Sequence, residues 1–534
     1  WFTKMNQPVP YPSLATSDDK CVFTWIERGK EYGERSTKVS YLNKNTGKFT
    51  SPETVTINNH AQHNPVSESI DENLMLLTWA QSRHDPKSFG LLKQEKPLED
   101  FARSLDIWFA IYDLENATTL QLEAITDDFS GRSAGRAEAN PKIAVLSETK
   151  ALLAWQVSNL QSGDAELWFS VIEKQGAQWT HSIPQAMVQT GGAKTQLQLA
   201  AFNQGKAMLT WIELGENTLN QKKLLYSIYD GSWSEPLDVF VFEENQSPNY
   251  YNMQFADDLG GIVITSYIDD GPENRYEDLS LLAWNNDLEN WGENERTVLL
   301  IDTLHHLQYP ALAINSTGKA TIAYKTEKII PKDTLHMISR IDVITGLMNN
   351  TSSHWNTVPG NGFICDTSHQ VKALALSYAN NDTLLMLTNE FPMTATNASF
   401  VPNHARMFGD PYMNLVLRSF VIDDDGNIED VDENGYFVGI DESYPPAEIN
   451  NGLNCYPNPC SNYTTITFNL EEPAQVNIDI FDINGKLVSH VANRKLQRGA
   501  YQSVFDVSNL ETGIYTCVLT TGNHQSSIKM SVTR

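Results

Sequence analysis

Cysteine and positive charge are both scarce in these 534 residues. Five cysteines over such a length cannot make the disulfide framework that holds small secreted domains together, so folding must rest on buried apolar surface. With 41% hydrophobic residues, the chain has enough of it for more than one domain. Lysine and arginine number 38 against 66 acidic residues, a formal net charge of −28. Such a surface repels phosphate backbones, which argues against nucleic acid and leaves a cation, a basic protein or a neutral glycan. No apolar run approaches the roughly 18 residues of a membrane helix, so no membrane span is expected. The phosphate loop, the dinucleotide fingerprint and Cys-x-x-Cys are all missing, which removes several common local signatures of enzymes.

What is present is a diverged repeat. An apolar run ending in an aromatic residue recurs as Cys21-Val-Phe-Thr-Trp25, Leu74-Met-Leu-Leu-Thr-Trp79, Ala151-Leu-Leu-Ala-Trp155, Ala207-Met-Leu-Thr-Trp211, Gly261-Ile-Val-Ile-Thr-Ser-Tyr267 and Lys319-Ala-Thr-Ile-Ala-Tyr324. The spacing is about 55 residues except between Trp79 and Trp155, where a polar insertion over 83–104 lengthens it. A short strand precedes each aromatic run, as at Asn140-Pro-Lys-Ile-Ala-Val145 and Tyr309-Pro-Ala-Leu-Ala313, and two more follow. Four strands per repeat at this period predict β-propeller blades. A poorer seventh copy lies at Val371–Ala375, Thr383–Leu387 and Leu415–Val421, so seven blades are preferred over six or eight, with Trp1–Pro10 available as a closing strand.

The expected organisation is therefore all-β: a propeller over 1–442, a Pro-containing linker over 443–454, and a β-sandwich over 455–534. The last segment alternates apolar and polar residues in short runs, such as Gln475-Val-Asn-Ile-Asp-Ile-Phe481 and Gly513-Ile-Tyr-Thr-Cys-Val-Leu519, cut by turn residues at Asn484-Gly485 and Thr521-Gly522-Asn523. Six or seven such strands in about 80 residues make an immunoglobulin-like pattern. Its six acids are matched by six bases, so the excess negative charge lies earlier in the chain.

Within 455–534, Tyr456-Pro457-Asn458-Pro459, Phe481-Asp-Ile-Asn-Gly485-Lys486, Leu510-Glu-Thr-Gly513-Ile-Tyr515 and Lys529-Met-Ser-Val532 occur in that order. Together they resemble the C-terminal sorting domain of the type IX (Por) secretion system of Bacteroidota. The resemblance implies passage through the periplasm and outer membrane to the cell surface or medium, after removal of a signal peptide. It also implies partners: the outer-membrane translocon and a shuttle that binds sorting domains. Asp302-Thr-Leu, Asp333-Thr-Leu and Asp382-Thr-Leu resemble the O-glycosylation sequence of the same lineage.

Several constellations are candidate sites. Glu27, Glu213 and Asp269 fall just past the aromatic anchors, with Gln81 and Glu327 nearby, and carboxylates on facing blades can hydrolyse a glycosidic bond. The plain alternative is that strand ends are polar because they meet water. His60, His63, His305, His306 and His369 fall in blade-to-blade connections, where imidazoles can bind a metal, though without any local ligand spacing. Asp430, Asp432, Asn434 and Asp441 match the spacing of a calcium loop, so Ca2+ is the one cofactor to consider; Asn434-Gly435 is equally a hairpin turn. Cys455 and Cys460 either close a small disulfide loop or remain two buried thiols. Ser227-Ile-Tyr-Asp230-Gly231-Ser-Trp233 looks like a degenerate sialidase Asp-box, but it departs from the box spacing, and Arg28 and Arg83 have no third arginine in register.

These features predict an exported surface or secreted protein whose propeller binds an unknown surface protein or glycan. A secreted polysaccharide hydrolase and a component of the secretion or attachment apparatus are the alternatives. No catalytic set stands out, so the expectation leans away from an enzyme.

Overall fold

Apolar runs on consecutive residues, rather than every second one, mean strands covered on both faces. The computed structural model explains why. It describes residues 13–17, 19–28, 35–44, 48–55, 60–83, 101–126, 136–160, 162–187, 193–203, 205–214, 222–256, 259–270, 275–286, 289–291, 297–302, 305–328, 339–349, 352–357, 369–380, 382–392, 414–422, 428–431, 436–438, 453–456, 458–460, 463–470, 474–483, 485–496, 499–508, 510–522 and 524–533. By internal contacts the chain divides into two units, Trp1–Ile440 and Asp441–Arg534.

The first unit is a seven-bladed propeller. Its blades span 13–54, 62–124, 136–186, 193–241, 246–302, 305–357 and 369–438, each an antiparallel meander whose strands pair in chain order. The first strands of successive blades are neighbours, and that of blade 7 (His369–Tyr378) lies beside that of blade 1 (Ser13–Thr16), with Thr16 Oγ1 3.0 Å from Ser377 Oγ. The ring therefore closes between blades 7 and 1. A closing strand from Trp1–Pro10 falls outside the described residues.

Both faces of each blade are buried against neighbours, so the cores lie between blades. In Leu74–Ser82, the second strand of blade 2, Met75, Leu77 and Trp79 join the core shared with blade 1, while Leu76 and Ala80 join the core shared with blade 3. The aromatic anchors Trp79, Trp155, Trp211 and Tyr267 are fully buried. Each removes on the order of 200 Å² from water, about 5 kcal/mol as an upper figure.

A hydroxyl clasp recurs between third and fourth strands. Ser227 Oγ donates to the Ser234 carbonyl at 2.7 Å in blade 4, as Ser170 does to Ser182 at 2.8 Å in blade 3 and Ser40 to Thr50 at 2.8 Å in blade 1. The Asp-box-like segment is thus a turn, with Gly231 at φ +78° and Tyr229 bridging Trp233.

The second unit is an immunoglobulin-like sandwich. One sheet orders Asn454–Tyr456, Tyr463–Leu470 and Gly499–Asp506; the other orders Leu487–Leu496, Ala474–Phe481, Gly513–Thr521 and His524–Val532. Alternate residues of both sheets, among them Ile466, Phe468, Val476, Ile478, Ile480, Leu519 and Met530, form one core. Cys455 and Cys460 are buried in it as thiols with no bond between them, the second of the two alternatives.

Candidate functional site: the axial mouth

The second strand of each blade ends on the face where the first strand begins. The acids predicted there all sit on it, each held within its own blade. Glu27 lies 3.0 Å from Lys38 Nζ in blade 1, and Glu213 lies 3.7 Å from the buried Lys194 Nζ in blade 4. Asp269 in blade 5 accepts hydrogen bonds from Asn245 Nδ2 at 2.5 Å and Gln246 Nε2 at 3.1 Å. Blade 1 adjoins blades 2 and 7, so Glu27 and the other two come from non-neighbouring blades. Gln81 accepts from Gln62 Nε2 at 2.9 Å and Trp79 Nε1 at 3.1 Å, and the Glu327 side chain lies outside the described residues.

His60 Nδ1 is 3.0 Å from the Ser82 carbonyl. His63 is buried edge-on against Phe101, with Nδ1 3.2 Å from Arg35 Nη1; burial, then the Arg35 charge, holds its imidazole well below the usual range and therefore neutral. The side chains of His305, His306 and His369 lie outside the described residues, as do those of Asp430, Asp432, Asn434 and Asp441 in the calcium-loop candidate. Among the described residues no three His, Cys, Asp or Glu side chains gather as metal ligands.

A different set does converge on the axis. In six of the seven innermost strands the pairing slips at one level, opposite or beside the aromatic anchor in blades 2 to 6 and opposite Asn389 and Glu390 in blade 7: between His63 and Val66, Ala139 and Lys142, Thr195 and Gln198, Pro248 and Tyr250, Gln308 and Ala311, and Val371 and Ala373. Each slip is a β-bulge, which re-aims side chains that a flat strand would point elsewhere. Four bulge residues, Asn64, Asn140, Gln196 and Tyr309, have φ between 51° and 57° without being glycine. That conformation costs energy, so the surroundings must hold it.

Amides from these bulges reach around the ring. Asn64 Nδ2 donates to Asn140 Oδ1 at 2.7 Å, Gln196 Nε2 to the Asn249 carbonyl at 2.7 Å, and Asn249 Nδ2 to the Leu307 carbonyl at 3.2 Å, each from one blade to the next. Tyr250 packs against Tyr309 with ring centroids 4.7 Å apart and planes tilted by 43°, and Lys325 Nζ sits 5.7 Å over Tyr309. All of these amides and both tyrosines remain partly accessible. The result is a ring of neutral hydrogen-bonding groups with an aromatic shelf on one side. Lys142, beside Asn140, is enclosed enough that burial lowers its ammonium to about 8.

Between blades 2 and 3 lies a buried carboxyl pair that the sequence reading missed. Arg83 clasps Asp106 with two hydrogen bonds, one of them 2.8 Å. Thr126 Oγ1 donates to Asp106 Oδ1 at 3.1 Å and accepts from the Ile107 amide at 3.0 Å. Glu138 also bonds Thr126, an interaction that favours its ionised form but is outweighed by burial. Burial first, and the Asp106 charge after it, raises the Glu138 carboxyl to about 8.

In the sandwich, the sorting residues come together from opposite ends of the segment. Asn458 Nδ2 donates to the Lys529 carbonyl at 2.7 Å and its Oδ1 accepts from the Ser531 amide at 2.8 Å, so the opening motif is fastened to the closing strand. Val532 is buried and bridges Cys460 in parallel. Gly485 at φ +74° makes the turn from Asp482 to Lys486, and Tyr515 Oη donates to the Glu511 carbonyl at 2.9 Å, tying down the strand that Gly513 begins. Tyr456 lies in the strand Asn454–Tyr456, and Pro459 is exposed. Pro457 is outside the described residues. This stretch matches the family described as "Secretion system C-terminal sorting domain" over residues 454–533. Residues 454–533 are a type IX sorting domain.

The sorting domain makes the chain an exported protein, bound for the cell surface or the medium, that engages the type IX machinery. No described helix is long and apolar enough to cross a membrane. No curated protein is detectably similar to the chain. Solved structures with some likeness include a protein of unknown function from Dyadobacter fermentans (11% identity, 65% of this chain and 96% of that one, TM-score 0.41). Others are the polysaccharide lyase Uly1 (10% identity, 94% and 91%, TM-score 0.38) and the β-propeller domain of the trilobed protease from Pyrococcus furiosus (10% identity, 70% and 95%, TM-score 0.30). Likenesses at these scores say nothing about the activity of the propeller that the sorting domain carries out of the cell.

Proposed function

We propose that the protein is an exported glycan-binding module. Its sorting domain is read by the outer-membrane translocon and by the shuttle that binds such domains, and its propeller holds a sugar chain at the axial mouth. The observation that carries this reading is the bulge ring. Asn64, Asn140, Gln196 and Asn249 present amides, which both donate and accept and so suit sugar hydroxyls, while the Tyr250–Tyr309 pair offers a face for a pyranose ring. The hydrolase alternative, drawn on Glu27, Glu213 and Asp269, has less support: each carboxylate is already engaged by a neighbouring side chain.

Calorimetric titration of the purified chain with a panel of cell-surface oligosaccharides tests the reading. At least one oligosaccharide is expected to bind, and Tyr309→Ala to weaken it about tenfold through loss of the aromatic shelf. Binding unaffected by Tyr309→Ala removes the axial mouth as the site. Release of new reducing ends favours the hydrolase, and failure of every oligosaccharide to bind overturns the glycan reading.

A further inference from the structure

The sandwich core holds three thiols, Cys455, Cys460 and Cys517, and their arrangement is selective. Cys455 stands on the strand Asn454–Tyr456 of one sheet, where it pairs with Ile466. Cys517 stands on Gly513–Thr521 of the other, between Ile480 and Ile528. Both side chains point into the core, and the two thiols share a hydrogen bond across it. Cys460 is turned to another partner: its Sγ donates to the Ser531 carbonyl at 3.4 Å, its amide to the same oxygen at 2.9 Å, and its own carbonyl accepts from Thr533 at 2.8 Å. A second observation marks Cys517. Tyr515, two residues before it, donates its hydroxyl back to the Glu511 carbonyl, which is the corner that precedes the second cysteine of the inter-sheet bond in disulfide-linked immunoglobulin sandwiches.

We infer that in the exported protein Cys455 and Cys517 form a disulfide joining the two sheets of the sorting domain. Neighbours in sequence, Cys455 and Cys460, are not the pair. The route to the surface supplies the chemistry, because a protein leaving the cytosol meets oxidising conditions. The Cys455 thiolate attacks the disulfide of a periplasmic thiol oxidase and displaces one of its sulfurs as thiolate. Cys517, losing its proton to solvent, then attacks the Cys455 sulfur of the mixed disulfide. The new S–S bond forms, the oxidase leaves as its dithiol, and the two electrons go with it. Both thiols end in the core, so the exchange belongs to the time before the sandwich closes.

The test is peptide mapping of the full-length chain recovered from the periplasm or the surface, with free thiols alkylated before digestion without reductant. The expected result is a Cys455–Cys517 linked peptide that separates on reduction, with Cys460 alkylated once the chain is unfolded. In the same material, reduction should lower the unfolding midpoint of the sorting domain by roughly 10 °C, and Cys517→Ser should remove that sensitivity. A Cys455–Cys460 or Cys460–Cys517 link, or alkylation of all three thiols, overturns the inference. Because the mapping uses the unmodified chain, failure of a variant to fold does not affect it.

Discussion

Glu138 carries the sharpest consequence at the scale of single residues. Its carboxyl is raised from 4.5 to about 8, so the folded propeller keeps a proton that the unfolded chain gives up above the ordinary value. Its stabilising contribution is complete below about pH 4.5 and is lost as pH rises through 8. Glu68, half-buried where it accepts the Val145 amide at 2.9 Å and raised to about 7 by loss of solvent, acts in the same direction. The thermal midpoint of the propeller should therefore fall between pH 5 and pH 8.5, and Glu138→Gln should flatten that fall; an unchanged slope means Glu138 is ionised. None of this was legible in the sequence. Glu138 reads as one polar residue before a strand, and only the approach of blades 2 and 3 puts Asp106, Thr126 and Arg83 against it.

Among the elements, the hairpins and the bulges are where backbone demands decide. Gly318, at φ +85° between the first and second strands of blade 6, lies so close to the Met348 carbonyl that a Cβ would run into it, and Gly260 meets the Trp284 carbonyl in the same way in blade 5. Gly318→Ala should cost on the order of 2 kcal/mol or more, read as a lower denaturation midpoint of the propeller. Surface Gly205, also at positive φ but with open space around it, should lose less on the same change. The bulges did leave a trace in the sequence. Asn64-Pro65, Asn140-Pro141 and Tyr309-Pro310 put proline inside strands, where its missing amide is tolerated at an edge or a bulge. Gln196-Leu197 carries no such mark, so its membership of the ring needed the backbone.

For the whole molecule, the prediction concerns location. A chain ending at Leu453 should be retained in the periplasm while the full-length chain reaches the surface or medium, measured by fractionation with intact mass on the exported product. Equal export of both would mean that the sorting domain is dispensable for this cargo. The sequence by itself determined the strand content, the repeat and the sorting motifs, because alternation, period and turn residues are local properties that survive divergence. It did not determine which side chains meet. Closure between blades 7 and 1, the axial ring of amides, the raised carboxyl of Glu138 and the partner of Cys455 all join residues far apart in the chain. Such contacts are fixed by how blades and sheets pack, and packing has no signature in any one stretch of sequence.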